Sequence, residues 1–358
     1  MRVGIIGAGV SGSVLYRLLY EKGFYINIYD PLLVRGCKSS TFVFSKKSEY
    51  LLVKKILKKL NIHFQDYIVK EINEIDINGV SYFLNKKIYI VNKPKLIEDL
   101  VPRTLINQRE FKPAINRFIT KVSTTGTIVR EFSTEDEAKY YDLVVDASGN
   151  AKVLQLNNKS TNDIKVCQFL INSSKKIDNI LIDNIKISHR KPLIGYSWVI
   201  PIENEMYHIG CAYYKNSNKL LDYLTIYVKK IFGNDYTKIC SCISKINGNL
   251  LFESFISGHY QKKCIASIGE SIGLVSPFGH GNVYAIISAY ILSKFINKYE
   301  PREGVVKYKN YMLKNFDWLD KDKKSLKNLN LLKITKLLKE YYNIPTHESM
   351  KILFKSIY

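Results

Sequence analysis

Residues 2–30, RVGIIGAGVSGSVLYRLLYEKGFYINIYD, constrain the fold more than any other stretch of the chain. The apolar run over 3–6 predicts a buried strand, and Gly7-Ala8-Gly9-Val10-Ser11-Gly12 follows it directly. Helical spacing over 13–22 and a second apolar strand over 25–29 complete a strand, turn, helix and strand that end on Asp30. Each residue type in this unit answers a spatial demand. Gly7 permits the tight turn off the strand, Gly9 lets a pyrophosphate reach the backbone, and Gly12 lets the helix lie close on the sheet. Ala8, Val10 and Ser11 complete the phosphate loop, and the helix start presents N–H groups and the positive end of its dipole. Asp30 falls at the spacing, about 20 residues on, where a carboxylate accepts the hydroxyls of an adenosine ribose. The pattern predicts a dinucleotide site and leaves open which dinucleotide.

A chain of 358 residues can bury a large core and should form one large or two interleaved domains. No run of about 18 uncharged apolar residues occurs, so no membrane-spanning helix is expected. No basic-then-apolar leader precedes the first strand, which predicts a cytoplasmic protein without a signal peptide. The six cysteines (37, 167, 211, 240, 242 and 264) fit neither a disulfide scaffold nor a zinc-knuckle spacing, and are read as reduced packing residues. The net charge of +22 is carried by dispersed lysines, with no arginine-rich, aromatic-interleaved block of the kind that reads nucleic acid. Compositional bias of the source genome accounts for the excess. So does attraction to an anionic membrane, worth about 1 kcal/mol per basic residue near the surface, which would make the protein peripheral on the inner face.

A polar loop over 31–40 follows Asp30, then a basic amphipathic helix over 45–62 and alternating strands over 67–77 and 80–91. Residues 94–101 read as a helix with proline in its first turn. Strands over 115–122 and 127–132 lead to a second signature, a buried strand over 143–145 running into Asp146-Ala147-Ser148-Gly149. From 165 to 257 the pattern is β-rich, with strands expected over 165–171, 180–187, 196–201, 207–214 and 249–256 and a helix over 219–231. These strands suit a sheet covering a pocket. A third signature, Gly269-Glu270-Ser-Ile-Gly-Leu-Val-Ser-Pro277-Phe-Gly279-His280-Gly281-Asn282, starts where a strand is expected to end and opens an apolar helix over 283–296. Residues 301–358 are helical and basic, with 13 Lys and Arg against 6 Asp and Glu. The apolar side of their last helix either packs on its own chain or lies in a bilayer interface.

Taken together, the three signatures resemble the FAD-dependent superfamily of aromatic hydroxylases, and within it the geranylgeranyl reductase group. The resemblance covers residues 2–296. Gly7, Gly9, Gly12 and Asp30 match its first motif, Asp146 to Gly149 its second, and the run from Gly269 to Gly281 its GDAAG-x-x-x-P-x-x-G-x-G. Cys37 stands at the position of a Pro-Cys-Gly loop, and Tyr196-Ser-Trp198-Val-Ile200-Pro201, followed by Gly210-Cys-Ala212, is similar to the YxWxFP-x7-8-GxG of these reductases. The departures are Glu270 for aspartate, Gly36 and Lys38 around Cys37, Ile200 and Ala212 for Phe and Gly, and Lys93 for a customary arginine. YxWxIP also lies halfway to the WxWxIP of flavin halogenases.

The resemblance implies an α/β fold: a Rossmann-like FAD-binding domain with an inserted antiparallel β-sheet substrate domain and a C-terminal helical segment. Residues 1–164 form the first part of the FAD domain, with 40–100 contributing to the substrate pocket. Residues 165–257 form the substrate domain, 258–298 the second part of the FAD domain, and 299–358 the helical segment. FAD contacts are expected from residues 7–12 and from Asp30, Lys38, Lys93, Ser148, Gly149, Gly269, Glu270, Pro277, Gly279, Gly281 and Asn282. The implied reaction is reduction of C=C bonds in a polyprenyl lipid or quinone, with NADPH or a ferredoxin as electron donor. Tyr196 and Trp198, two apart on one strand, share a face and would line the pocket, while Cys37 and His280 are the candidate proton donors. An oxygen-using monooxygenase or halogenase is the alternative reading. A flavin-binding protein of the membrane surface without turnover is a third.

Overall fold

The computed structural model describes residues 1–30, 40–44, 46–107, 140–154, 164–184, 195–203, 205–213, 220–248, 250–251, 258–260, 263–327, 331–342, 344–345, 347 and 349. In chain order the first elements are β1 (Arg2–Ile6), α1 (Val10–Tyr20), β2 (Tyr25–Tyr29), β3 (Ser40–Phe42) and α2 (Lys47–Lys59). Then come β4 (Ile68–Ile77), β5 (Val80–Val91), α3 (Lys93–Leu100), β6 (Ile106–Asn107), β7 (Leu143–Asp146), β8 (Ile164–Asn172) and β9 (Ile180–Asn184). The next are β10 (Gly195–Pro201), β11 (Met206–Tyr213), α4 (Leu220–Phe232), β12 (Thr237–Ile246), β13 (Gly258–Tyr260) and β14 (Lys263–Ser267). Three helices follow, α5 (Asn282–Lys298), α6 (Pro301–Lys327) and α7 (Leu331–Tyr342).

The strands form two sheets. The first has the order β13-β14-β7-β1-β2-β6 and is parallel from β14 to β6. Its central strands are buried on both faces, which is why they read as unbroken apolar runs. One face, with Val3, Ile5, Leu143, Val145 and Ala266, shares a core with Val14, Leu15 and Leu19 of α1 and with Ile286 and Leu292 of α5. Helix α1 begins at Val10, three residues before the apolar spacing implies, because Gly9 serves as its N-cap. Two glycines set how closely it approaches β1. Gly7 has φ +101°, and a Cβ on Gly12 would stand 1.9 Å from the Gly7 carbonyl oxygen.

The second sheet has the order β12-β8-β11-β10-β9-β4-β5-β3 and is antiparallel except between β4 and β9. It reaches beyond 165–257, because β3, β4 and β5 pair into it from residues 40–91. Side-chain alternation gives it two unlike faces. Phe169, Val199, Ile209 and Cys211 pack under α4 through Leu224, Tyr227 and Val228. Val166, Gln168, Tyr196, Trp198, Ile200 and His208 turn to the opposite side.

Helix α6 returns to the parallel sheet, where the Tyr308 hydroxyl donates to the Ser267 carbonyl at 3.2 Å. Leu337, Leu338 and Tyr341 of α7 are buried with Ile72, Ile75, Ile88 and Ile90 of β4 and β5, so this helix packs on its own chain and not in a bilayer interface. No helix among the described residues is long and apolar enough to cross a membrane.

The strand over 237–246 departs from the sequence reading. Strand β12 is a sheet edge, exposed along most of its length, so it lacks the buried alternation that marks a strand. Strand β14 ends at Ser267, two residues before Gly269, because the chain turns into a short 3-10 segment (Gly269–Ile272). The strands expected over 115–122 and 127–132, and most of that over 249–256, lie outside the described residues.

Gly12→Ala puts a methyl group against the Gly7 carbonyl. It is expected to cost about 3 kcal/mol, the upper end of over-packing penalties, read as a lower urea midpoint at unchanged m-value.

Candidate functional site

Because β1, β2, β7 and β14 run parallel, the loops after them emerge at one sheet edge, the usual ligand side of such folds. Gly7 to Gly12, Asp30, Asp146 to Asn150 and Gly269-Glu270 therefore converge there. The Ala8 N–H donates to Asp30 Oδ2 at 2.7 Å, which holds the carboxylate over the glycine loop. A Cβ built on Gly9 meets nothing within 4 Å, so no protein contact demands glycine at that position. Val10 and Ser11 are buried in the first turn of α1. Ser11 Oγ lies 2.9 Å from where a Cβ on Gly269 would stand, so the third motif rests directly on the first.

Asp146 is fully buried and organises the second motif. It accepts from Ser148 N–H at 3.0 Å, Ser148 Oγ at 2.6 Å and Leu154 N–H at 3.0 Å. Burial pushes its carboxyl pKa up, and these hydrogen bonds oppose the shift. Ser148 Oγ also accepts from Val153 N–H at 3.1 Å, so this expected cofactor contact is engaged in its own turn. Gly149, at φ +63°, would place a Cβ 3.6 Å from Glu270 Oε2. Glu270 Oε1 accepts from Asn247 N–H at 3.0 Å, and its carbonyl accepts from Asn247 Nδ2 at 2.9 Å. Asn150 Oδ1 is buried with no hydrogen-bond partner among the described residues, and its acceptor capacity was not part of the sequence reading.

A second feature is a cavity of about 350 Å³ between the second sheet, the loop over 276–281 and the end of α7. Ile88, Ile180, Ile182, Ile200, Val43 and Val166 make most of its wall apolar. Tyr196 and Trp198 share this wall as expected, with ring centroids 5.6 Å apart. Trp198 pairs with Gly210 across β10 and β11, and a Cβ on Gly210 would stand 2.3 Å from the indole, so glycine makes room for the ring. The Tyr196 hydroxyl donates to the Phe278 carbonyl at 2.9 Å. Gly279 has φ +82°, and Gly281 caps α5. Ser276 and Gly279, on either side of Pro277, close a tight turn through a 3.0 Å backbone bond. Asn282 Nδ2 donates to the Thr41 carbonyl at 3.2 Å, tying α5 to β3.

His280 is the one proposed proton donor that can be located, because Cys37 and Lys38 lie outside the described residues. Its Nε2 is 2.8 Å from the Tyr342 hydroxyl, so α7, which carries no motif, completes the wall. Lys93, at the first position of α3, also lines the cavity. So does His208, which the sequence reading passed over. Its one signal was a polar residue two before Gly210 on an apolar face.

No family model matches the chain. Over 366 residues, the whole of both chains, it is 63% identical to "uncharacterized protein MJ1182" of Methanocaldococcus jannaschii. The chain belongs to the family of that protein. Among solved structures it is similar to a geranylgeranyl bacteriochlorophyll reductase-like protein, Ta0516 of Thermoplasma acidophilum. That match has a TM-score of 0.64 at 14% identity over 99% of this chain and 91% of the other. HpxO of Klebsiella pneumoniae, complexed with FAD and uric acid, gives 0.61 at 12% identity over 100% and 96%. The flavin-dependent brominase Bmp2 gives 0.59 at 13% over 99% and 93%. The likeness is one of fold. The mixed α/β architecture with a parallel sheet, an antiparallel sheet and C-terminal helices is that of these flavoproteins, as the three signatures imply.

The buried imidazole of His208 and the partly buried one of His280 make stability depend on pH. Burial lowers the pKa of His280 from 6.5 to about 4, and burial followed by the Lys93 charge does the same to His208. The unfolded chain takes up these protons near its ordinary value and the folded chain only near the depressed one. Stability is therefore complete above pH 6.5 and is lost as pH falls toward 4, by roughly 3 kcal/mol for each histidine. Urea unfolding at stepped pH should show this slope, and His280→Gln should remove about half of it.

Proposed function

We propose that the chain is an FAD-dependent oxidoreductase that reduces C=C bonds of a polyprenyl chain in a lipid or quinone. The observation that carries this reading is the partly open cavity that isoleucine and valine line in large part, walled by Trp198 and Tyr196 and bounded by Phe278, Gly279 and His280 of the third motif. FAD suits the edge of the parallel sheet for two reasons. The space over Gly9, free of described residues, suits a pyrophosphate at the start of α1, and Asn150 Oδ1, which no described residue answers, suits a donor from the cofactor. Gly7, Gly9, Gly12, Asp30, Gly149, Gly269 and Glu270 would hold the cofactor, with Gly279 and Gly281 nearest the cavity. When bound, FAD supplies the two-electron chemistry that no side chain can.

The chain's own part is to orient the substrate, exclude water and manage one proton. Apolar walls keep the alkene dry. The His280 and Tyr342 pair holds a proton between Nε2 and Oη at the cavity surface and is the proton source in this reading, with Cys37 as the second candidate. The N-terminal end of α5 adds a positive dipole beside His280. NADPH or a ferredoxin serves as the electron donor, and the charge of +22 favours work at an anionic membrane surface.

Gly9→Val should fill the pyrophosphate space and abolish flavin binding, seen as colourless but soluble and folded protein. Normal flavin content in that variant would argue against the site. The reaction is tested by anaerobic incubation of the chemically reduced protein with a geranylgeranyl lipid, followed by mass spectrometry. A gain of two hydrogens per double bond is expected, and Trp198→Ala should keep its flavin while losing most of that gain. An unchanged lipid with flavin fully bound would move the assignment to an oxygen-using reaction, which the halogenase-like YxWxIP motif keeps in view.

A further inference from the structure

The cavity contains a polar atom that no described residue answers. His208 is 6% exposed and lines the cavity, and its Nε2 has no hydrogen-bond partner among the described residues. Its cross-strand partners are Ile200 and Leu170, whose side chains offer no acceptor. The wall's other polar groups are treated differently, since Tyr196 is bonded to the Phe278 carbonyl and His280 to Tyr342. A buried nitrogen without a partner lowers stability, and native chains keep one chiefly where a ligand or water satisfies it.

Lys93 gives the missing partner a sign. It lines the same cavity, and its ammonium is near enough to act on the His208 ring electrostatically. Burial keeps that ring neutral at ordinary pH, so its Nε2–H tautomer can donate while Lys93 supplies the positive charge. An oxygen bearing negative charge accepts from that Nε2–H and is favoured by the positive field of Lys93, which a neutral carbonyl or hydroxyl exploits less. We propose that His208 and Lys93 form an oxyanion subsite that holds the phosphate, diphosphate or carboxylate end of an otherwise apolar substrate, an inference that rests on the polyprenyl reading of the cavity. The subsite fixes which way the substrate enters. It leaves Ile180, Ile182 and Ile200 to contact the apolar chain.

The test is calorimetric titration of the full-length protein with its flavin, using geranylgeranyl diphosphate, geranylgeraniol and inorganic pyrophosphate in turn. The diphosphate should bind about tenfold or more tightly than the alcohol. His208→Leu should erase most of that gap at unchanged flavin content, Lys93→Met should narrow it, and His208→Gln, which keeps a donor, should restore part of it. Equal affinity for the two isoprenoids, a gap that survives both substitutions, or no heat from any probe would overturn the subsite. If neither isoprenoid binds but pyrophosphate does so in a His208-dependent way, the subsite stands and the polyprenyl reading falls instead.

Discussion

Three stretches far apart in sequence meet at contacts that only glycine allows, and the rest of the molecule is arranged around them. A Cβ on Gly7 would stand 2.4 Å from the Ala147 carbonyl oxygen, one on Gly12 1.9 Å from the Gly7 carbonyl oxygen, and one on Gly269 2.9 Å from Ser11 Oγ. The first contact joins the first motif to the second, and the third joins the third motif to the first. With no side chain between them, the loops after β1, β7 and β14 lie against one another, and the start of α1 opens onto the space they surround. Gly9 belongs to the same run, but a Cβ built on it would meet nothing within 4 Å among the described residues. Three of these glycines are explained by contacts within the fold, and no contact among the described residues demands the fourth.

The second sheet is placed against this assembly by polar links at its margins. Asn282 reaches the Thr41 carbonyl, Tyr196 the Phe278 carbonyl, and His280 the Tyr342 hydroxyl. Asn247, just past the end of β12, is 1% exposed and bonds twice to Glu270. Leu251 N–H donates to Asp320 of α6 at 2.7 Å. Four of these links join the second sheet, or the chain leaving it, to α5, the loop before it, Glu270 and α6, and the His280 and Tyr342 bond ties that loop to α7, which packs on the second sheet. The cavity is therefore walled by segments from residue 41 to residue 342. Its shape depends on the whole chain, and not on the β-rich stretch alone.

The parts legible in the sequence are those whose physics is local. Glycine spacing, an apolar strand ending in an acid, and alternation on β10 are properties of neighbouring residues; they located the parallel sheet and its glycine edge and put Tyr196 and Trp198 on one face, which the family resemblance made a pocket wall. Pairing over long sequence distance carries no such mark. Strands β4 and β5 were read as strands but not as members of the second sheet, because the partnership of β4 with β9 is decided about a hundred residues away, and the short β3 was not read as a strand at all. Strand β12 was missed because an exposed edge need not alternate. His208 was missed for a related reason: its significance comes from the register that sets it opposite Ile200 and beside Lys93. Tyr342 gave no signal, since a tyrosine on an amphipathic helix reads as ordinary packing.

The polar groups of the cavity separate into those the fold has already used and those it has not. Burial pushes the hydroxyls of Tyr196 and Tyr342 to higher pKa, and each has an internal partner. These bonds offset the desolvation of both tyrosines and fix the loop bearing His280. His208 lies on the same wall and has no such partner among the described residues. An apolar residue at that position would pack against Ile200 and Leu170 without leaving a buried nitrogen unsatisfied. Stability therefore does not account for the histidine, and what it could bind within the cavity does.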